Sequence, residues 1–71
     1  MLAVGIIGYG TIGRVVARAL DAGIDGMRFA AVATGRRDKA AAAMVELAQP
    51  VEIMSIAALA DCCDIVVDCA P

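Results

Sequence analysis

The chain has 71 residues, a net charge of −2 and 62% hydrophobic residues, many of them alanine. A chain of this length forms one small domain at most, and its acidic balance disfavours a nucleic-acid partner held by bulk charge. Its apolar runs are shorter than the ~18 residues of a membrane span. The start has no basic segment ahead of a long apolar stretch, so we expect neither a membrane span nor a secretion signal.

The chain has three cysteines and no histidine, and this content limits the metal sites and thiol chemistry that we expect. Without a Cys-x-x-Cys spacing or an imidazole, a metal site is not expected. An odd number of cysteines suits the reduced thiols of a cytoplasmic protein. We therefore expect Cys62, Cys63 and Cys69 to behave as small buried hydrophobic residues.

The first two predicted elements are a strand and an amphipathic helix. The strand covers Leu2–Ile7 and is apolar almost throughout, as expected of a parallel strand buried on both faces. The helix covers Thr11–Ala22 and ends at Gly23. Apolar residues recur in it at i, i+3, i+4, i+7 and i+8, and so predict its buried stripe: Ile12, Val15, Val16, Ala19 and Leu20.

The rest of the chain continues the alternation. We predict strands over residues 28–34, 51–54 and 64–69, with helices over residues 38–48 and 56–60 between them. Asp38 and Ser55 are the expected capping residues of these helices. The order β-α-β-α-β-α-β predicts an α/β fold with a parallel sheet and right-handed crossovers.

Gly8, Gly10 and Gly13 form a Gly-x-Gly-x-x-Gly motif between the first strand and the first helix, the context of a dinucleotide site. Gly8 would permit a sharp turn, Gly10 a close approach of pyrophosphate, and Gly13 close packing of the helix. The free amides near Gly10, Thr11 and Ile12 would receive the phosphates, and the Thr11 hydroxyl is a further donor. The alternative is a tight strand–helix turn without a ligand.

The end of the second strand lacks the acidic residue that usually holds a ribose hydroxyl about 20 residues after the motif. Thr34, Gly35, Arg36 and Arg37 stand there instead. Guanidinium groups bind phosphate in a bidentate manner, whereas a carboxylate would repel a 2′-phosphate. We predict that Thr34, Arg36 and Arg37 contact the cofactor and that NADP is preferred to NAD, or that both are used. Alternatively, both arginines are solvated and Asp38 binds the ribose after a register shift.

Residues after the fourth strand would complete the site, because ligands of α/β folds bind at the carboxyl ends of the strands. We expect the backbone of Cys69 and Ala70 to line the nicotinamide half of the cofactor. Asp68 either belongs to this site or is a strand-end acid satisfied by a neighbouring N–H or by water.

Two segments carry a family resemblance. VGIIGYGTIGR (residues 4–14), followed by ARAL (17–20), resembles the amino terminus of the L-aspartate dehydrogenase family. DIVVDCAP (64–71) is similar to that family's D-V-V-V-E-C-A strand, with Asp in place of the more usual Glu. The first motif also occurs in homoserine dehydrogenases and dihydrodipicolinate reductases. The resemblance implies NAD(P)-dependent interconversion of L-aspartate and iminoaspartate, in amino-acid metabolism or NAD biosynthesis, by an enzyme that typically forms dimers.

We therefore expect residues 1–71 to be the amino-terminal portion of an NAD(P)-binding Rossmann domain, with an incomplete sheet and no substrate domain. The family's catalytic histidine lies in a later domain, so no catalytic residue is assigned and the chain alone is expected to be inactive. A small-molecule substrate would meet only the full-length enzyme, a cytoplasmic homo-oligomer. The alternatives are a nucleotide-sensing module without chemistry, and an interaction fragment whose exposed strand edge pairs with another chain.

Overall fold

A computed structural model describes residues 1–70; Pro71, the last residue of the strand-four motif, lies outside the described residues. Strands and helices alternate as predicted, with one short 3₁₀ turn after the second helix. The elements are β1 (Leu2–Ile7), α1 (Thr11–Ala22), β2 (Met27–Ala33), α2 (Arg37–Ala43), the 3₁₀ turn (Met44–Glu46), β3 (Glu52–Ile53), α3 (Ile56–Cys62) and β4 (Ile65–Asp68). None of the helices in this part of the chain is long and apolar enough to cross a membrane.

The strands of residues 1–70 form one sheet in the order β3-β2-β1-β4, and every neighbouring pair is parallel. The predicted α/β Rossmann-like fold is therefore confirmed. The chain steps from β1 outward to β2 and β3, then crosses back to place β4 on the other side of β1. This reversal next to β1 is the point at which open α/β sheets form a crevice for ligands.

The second helix differs from its prediction at both ends. It begins after Arg36, which makes no side-chain capping hydrogen bond, so the prediction of Asp38 as the cap is wrong. Asp38 lies in the first turn instead, where its charge favours the helix dipole. The helix ends at Ala43 rather than near Ala48 and passes into the 3₁₀ turn. The amides of Ala48 and Gln49 donate to the Asp21 carboxylate of α1 (2.9 and 3.2 Å) rather than to helix carbonyls.

The buried face of α1 also differs from the predicted stripe. Gly13, Ala17 and Leu20 are buried, whereas Ile12 is 68% and Val15 57% exposed; Ala19 is exposed as well. A side chain on Gly13 would run into the carbonyl oxygen of Gly8. The first turns of the helix therefore place Gly13 and Ala17 toward the sheet, while Ile12 and Val15 face outward; Leu20 is buried as predicted, and Val16 packs partly against the core.

Two hydrophobic cores cover the two faces of the sheet. We call them the α1/α2 core and the α3 core. The buried residues of the α1/α2 core are Val4, Ile6, Tyr9, Ala17, Leu20, Val32, Ala40, Met44 and Leu47. Those of the α3 core are Ala31, Ala33 and Leu59. The register between β1 and β2 shifts once, so that Val4 lies opposite Phe29 and Gly5 opposite Ala31.

The cysteines are less buried than predicted. Cys62 is exposed, and Cys63 and Cys69 are half-buried, so the prediction of three buried thiols is wrong. Leu59 and Cys63 pack in the α3 core, and Cys62 is exposed although its sulfur contacts those of Met54 and Cys63. Burial, together with a hydrogen bond to the Cys62 thiol, raises the pKa of Cys63 to about 11, so its thiol is uncharged near neutral pH.

Candidate cofactor-binding site

A cleft of about 830 Å³ opens at the carboxyl edge of the sheet, within the usual size range of small-molecule sites. Segments that follow all four strands line it. Nine of the ten predicted site residues are among the lining residues: Gly8, Gly10, Thr11, Ile12, Thr34, Arg36, Arg37, Cys69 and Ala70. Gly13 is the exception, because it is buried beneath the turn.

The turn from β1 into α1 depends on two glycines. Gly8 has a φ of 87°, a left-handed conformation that side chains disfavour. Its N–H donates to the carbonyl oxygen of Ala33 at 2.8 Å, and a Cβ on it would lie 2.9 Å from the amide nitrogen of Ala70. A Cβ on Gly13 would collide with the Gly8 carbonyl oxygen. The sharp turn and the close helix packing expected from the motif are both present.

The amino terminus of α1 is open to the cleft. Gly10 is its capping residue and no side chain caps it; a Cβ on Gly10 would meet no atom within 4 Å. The first hydrogen bond into the helix runs from the Arg14 amide to the Gly10 carbonyl at 2.9 Å. The amides of Thr11, Ile12 and Gly13 precede that bond and have no partner within the helix. Unpaired amides and the helix dipole together favour an anion at this position.

The charge of the cleft is positive. Three basic side chains line it, and no Asp or Glu of residues 1–70 does. The three basic residues are Arg36, Arg37 and Lys39. This balance suits a ligand with several phosphate groups.

The remaining basic residues of the amino-terminal half lie elsewhere. Arg14 and Arg18 reach Glu46 of the 3₁₀ turn at 3.7 and 3.3 Å, and Arg28 lies near the amino end of β2, away from the cleft. Three of the six basic residues of the chain therefore line the cleft, and three do not.

The loop after β2 is shaped by its own hydrogen bonds. The Thr34 hydroxyl accepts a hydrogen bond from the Arg36 amide at 3.2 Å. The Arg37 guanidinium donates to the carbonyl oxygen of Ile53, at the end of β3, over 3.4 Å. The Arg36 side chain is exposed and makes no hydrogen bond or ion pair within residues 1–70. Arg37 is thus hydrogen-bonded to the end of the neighbouring strand, whereas the Arg36 guanidinium has no partner within residues 1–70.

The end of β4 lies against the turn of β1. The Cys69 amide donates to the carbonyl oxygen of Ile7 at 2.8 Å, which holds the chain beside the glycine turn. The Ala70 amide donates to the Asp68 carboxylate at 3.1 Å. Asp68 is therefore a strand-end acid satisfied by a neighbouring N–H, the second of the two interpretations above.

Further lining residues are absent from the predicted set. Lys39, Met54 and Ser55 line the cleft. Lys39 follows Arg36 by three residues, a spacing that places it on the same side of the first helical turn. Met54 and Ser55 follow β3, and sequence alone does not say that β3 lies beside β2. Ser55 caps α3 as predicted, since its hydroxyl accepts from the Ala58 amide at 3.1 Å.

Tyr9 belongs to both the cleft wall and the α1/α2 core. Its ring is buried, and its hydroxyl has no hydrogen-bond partner among residues 1–70. Burial raises its pKa, and the negative charge of Glu46 adds to that shift. Tyr9 is therefore an uncharged part of the wall.

Comparisons with known proteins agree with this geometry. Residues 8–71 match a family model described as homoserine dehydrogenase, NAD binding domain. The L-aspartate dehydrogenase of Bradyrhizobium diazoefficiens is 41% identical over 70 residues, which are 99% of this chain and 25% of that protein. A crystal structure assigned as a myo-inositol dehydrogenase from Sinorhizobium meliloti 1021 matches with a TM-score of 0.80 and 33% identity, over 100% of this chain and 21% of its own.

The chain thus spans about a quarter of the curated relative and about a fifth of the solved one. The resemblance to aspartate dehydrogenases is confirmed along the whole chain. Both relatives are dehydrogenases by name, and the matched family binds a nicotinamide dinucleotide. This chain belongs to the family of homoserine dehydrogenase NAD-binding domains.

Proposed function

We propose that this chain is the cofactor-binding part of an NAD(P)-dependent oxidoreductase that acts on L-aspartate, and that NADP is preferred to NAD. The observation that carries the proposal is the uncapped start of α1, which opens onto a cleft lined by three cations and, within residues 1–70, by no carboxylate.

In this proposal the main chain at the start of α1 holds the pyrophosphate. The amides of Thr11 and Ile12 precede the first intrahelical hydrogen bond, and the space beside Gly10 is open. Amides in this arrangement bind a diphosphate without any charged side chain. The Thr11 hydroxyl is a further donor at the same place.

The loop after β2 would hold the 2′-phosphate. The Arg36 guanidinium is exposed and unengaged within residues 1–70, so it can form a bidentate contact with a phosphate. The Thr34 hydroxyl accepts from the Arg36 amide, which leaves its own proton for donation. Arg37 and Lys39 add positive charge along the same wall.

The backbone of Cys69 and Ala70 would line the nicotinamide half. When bound, the nicotinamide supplies the hydride chemistry, and the protein orients it. The chain has no histidine, so the catalytic residue that the resemblance implies would come from outside these residues, together with the substrate pocket. The aspartate assignment is supported by the 41% identity to an L-aspartate dehydrogenase. A cytoplasmic location and a homo-oligomeric enzyme remain part of the proposal.

Calorimetric titration of the chain with NADP and with NAD tests the cofactor assignment. Arg36→Asp should weaken NADP binding roughly 10- to 100-fold, the value of one charged hydrogen-bonding group, and should leave NAD binding equal or tighter. Asp is a favourable helix-capping residue, so α2 should persist. Arg28→Asp is the matched control, because it makes the same charge change at an exposed site away from the cleft.

Two results would count against the proposal. An equal loss of NADP and NAD affinity in Arg36→Asp, or no loss at all, would remove the 2′-phosphate assignment. If neither NADP nor NAD binds, the assignment of the cleft as a cofactor site is wrong. The chain mixed with NADP and L-aspartate should show no formation of reduced nicotinamide, and turnover would show that it carries its own catalytic residue.

A further inference from the structure

Three sulfur atoms lie together on the α3 side of the sheet. The Cys62 Sγ is 3.6 Å from the Sδ of Met54 and 3.6 Å from the Sγ of Cys63. We propose that Met54, Cys62 and Cys63 form a binding site for a soft monovalent metal cation, with Cu(I) the ion that fits it best. Met54 also lines the cofactor cleft, whereas Cys62 and Cys63 do not.

The spacing of the sulfurs suits one shared ion. Metal–thiolate bonds are about 2.3 Å long, so three sulfurs arranged in a triangle around an ion stand about 4.0 Å apart. Both separations from Cys62 are 3.6 Å, which small side-chain rotations would widen to that value. Two of the three sulfur–sulfur separations are therefore already close to the value that a shared ion needs.

The type of donor selects the class of metal. Thiolate and thioether sulfurs prefer soft ions such as Cu(I). Zn²⁺ is almost always held by four ligands in structural sites, and within residues 1–70 no three His, Cys, Asp or Glu side chains are grouped to hold a metal. The sequence predicts no metal site, because it lacks both a Cys-x-x-Cys spacing and histidine. That criterion does not cover this cluster, whose third sulfur comes from the end of a neighbouring strand.

The backbone around the cluster holds the sulfurs in place. The Cys63 amide donates to the Leu59 carbonyl at 3.0 Å, and the Met54 amide donates to the Val32 carbonyl at 2.9 Å. The Cys63 Sγ occupies space that Gly5 leaves free, since a Cβ on Gly5 would lie 2.8 Å from it. Cys62 is exposed and gives an ion access from solvent.

Titration of the full chain with Cu(I) tests the site, under anaerobic and reducing conditions and in competition with a chromophoric Cu(I) chelator. We expect one Cu(I) per chain and a ligand shell of sulfur alone in X-ray absorption spectra. Binding should release the thiol protons, so the affinity should rise with pH. Excess Zn²⁺ should not displace the Cu(I).

Variants separate the cluster from unspecific thiol binding. Cys62→Ser and Cys63→Ser should each lower the affinity by more than about 100-fold, the upper end of the loss seen for residues that only support metal ligands. Met54→Leu should reduce the number of sulfur neighbours from three to two. Cys69→Ser is the matched control, because Cys69 packs against the α1/α2 core on the opposite face, and it should retain full affinity.

The proposal is overturned if Cys69→Ser weakens Cu(I) binding as much as Cys62→Ser does, or if Cys62→Ser leaves it unchanged. Cys62 is exposed, so its substitution should leave the fold intact, and circular dichroism of each variant checks this. Titration of Cys62→Ser and Cys63→Ser with NADP tells failure here from failure of the cofactor proposal, because neither residue lines the cofactor cleft.

Discussion

The two faces of the sheet pack against their helices through different kinds of side chain. On the α1/α2 face nine buried residues form the core, among them Tyr9, Met44 and Leu47. On the α3 face the buried residues are Ala31, Ala33 and Leu59, and β1 contributes Gly5 directly beneath Leu59 and Cys63. The first face is filled by many side chains. On the second, Leu59 lies on very small residues, and Ile7, Met54 and Cys63 are partly buried around them.

This difference implies a different distribution of stability. A core with many mobile side chains can partly collapse around a lost group, and the cost of a cavity depends on such collapse. Alanine and glycine have no side-chain freedom with which to fill a gap. We therefore expect substitutions on the α3 face to be tolerated less well than those of the same size on the α1/α2 face.

Leu59→Ala tests the comparison most strongly. It should lower the free energy of unfolding by about 4 kcal/mol, near the upper end of the range for buried leucines. Leu20→Ala should cost about 2–3 kcal/mol, because Leu20 lies in the larger core, which also includes Met27 and Phe29. Urea denaturation of both variants gives the two values. An equal or smaller cost for Leu59→Ala would contradict the proposed difference between the faces.

Gly5→Ala adds a methyl group where the α3 face has no room. Its Cβ would lie 2.8 Å from atoms of both Leu59 and Cys63, and overpacking of this kind costs about 1–3 kcal/mol. Gly35→Ala is the control, since a Cβ there meets nothing within 4 Å and Gly35 has no positive φ. In the double variant with Leu59→Ala, the added methyl should be better tolerated, so the two costs should not add. If the costs of Gly5→Ala and Leu59→Ala were additive, the added methyl group would not clash with Leu59.

Tyr9→Phe examines the larger core. The Tyr9 hydroxyl is buried without a partner among residues 1–70, and an unpaired buried hydroxyl opposes folding. Its removal should raise the free energy of unfolding by up to about 1 kcal/mol, whereas large-to-small changes nearby should lower it. Thermal and urea denaturation would measure the change. A loss of stability would reveal a hydrogen-bond partner for this hydroxyl.

The smallest expected effect is a loss of stability at alkaline pH that depends on Tyr9. Burial raises the folded-state pKa of Tyr9 above its ordinary value, so above pH ~10 the folded state holds the phenol proton more tightly than the unfolded chain does. The free energy of unfolding should therefore fall as the pH rises beyond that point. The fall should be shallower in Tyr9→Phe, and equal slopes for the two proteins would contradict the shift.

Local patterns predict the first elements well. The bounds of β1 and α1 agree with their predictions, because the glycine motif marks where the strand ends and the helix begins. The end of α2 was not predictable in this way. The predicted helix included Ala48, whose amide, like that of Gln49, instead donates to Asp21, a contact between residues far apart in the chain.

The hydrophobicity pattern also failed to predict which face of α1 lies against the sheet. Large apolar residues such as Ile12 and Val15 dominate that pattern, yet the Gly8 carbonyl forces Gly13 toward the sheet. In the cleft, the motif and the loop after β2 were predictable from sequence because they follow strands one and two. Lys39, Met54 and Ser55 were missed, because their proximity depends on the strand order and on where α2 starts.

The uncapped helix start at Gly10 has an evolutionary consequence. Every residue except proline has a backbone N–H. Most substitutions at positions 11 and 12 would therefore keep the donors that the proposal assigns to the pyrophosphate. Discrimination among related nucleotides would then fall to the exposed Arg36 and its neighbours, which contribute little to either core. If the proposed assignment holds, a lineage with this fold could change its preferred coenzyme through substitutions in one loop, while the main-chain amides that bind the pyrophosphate stayed the same.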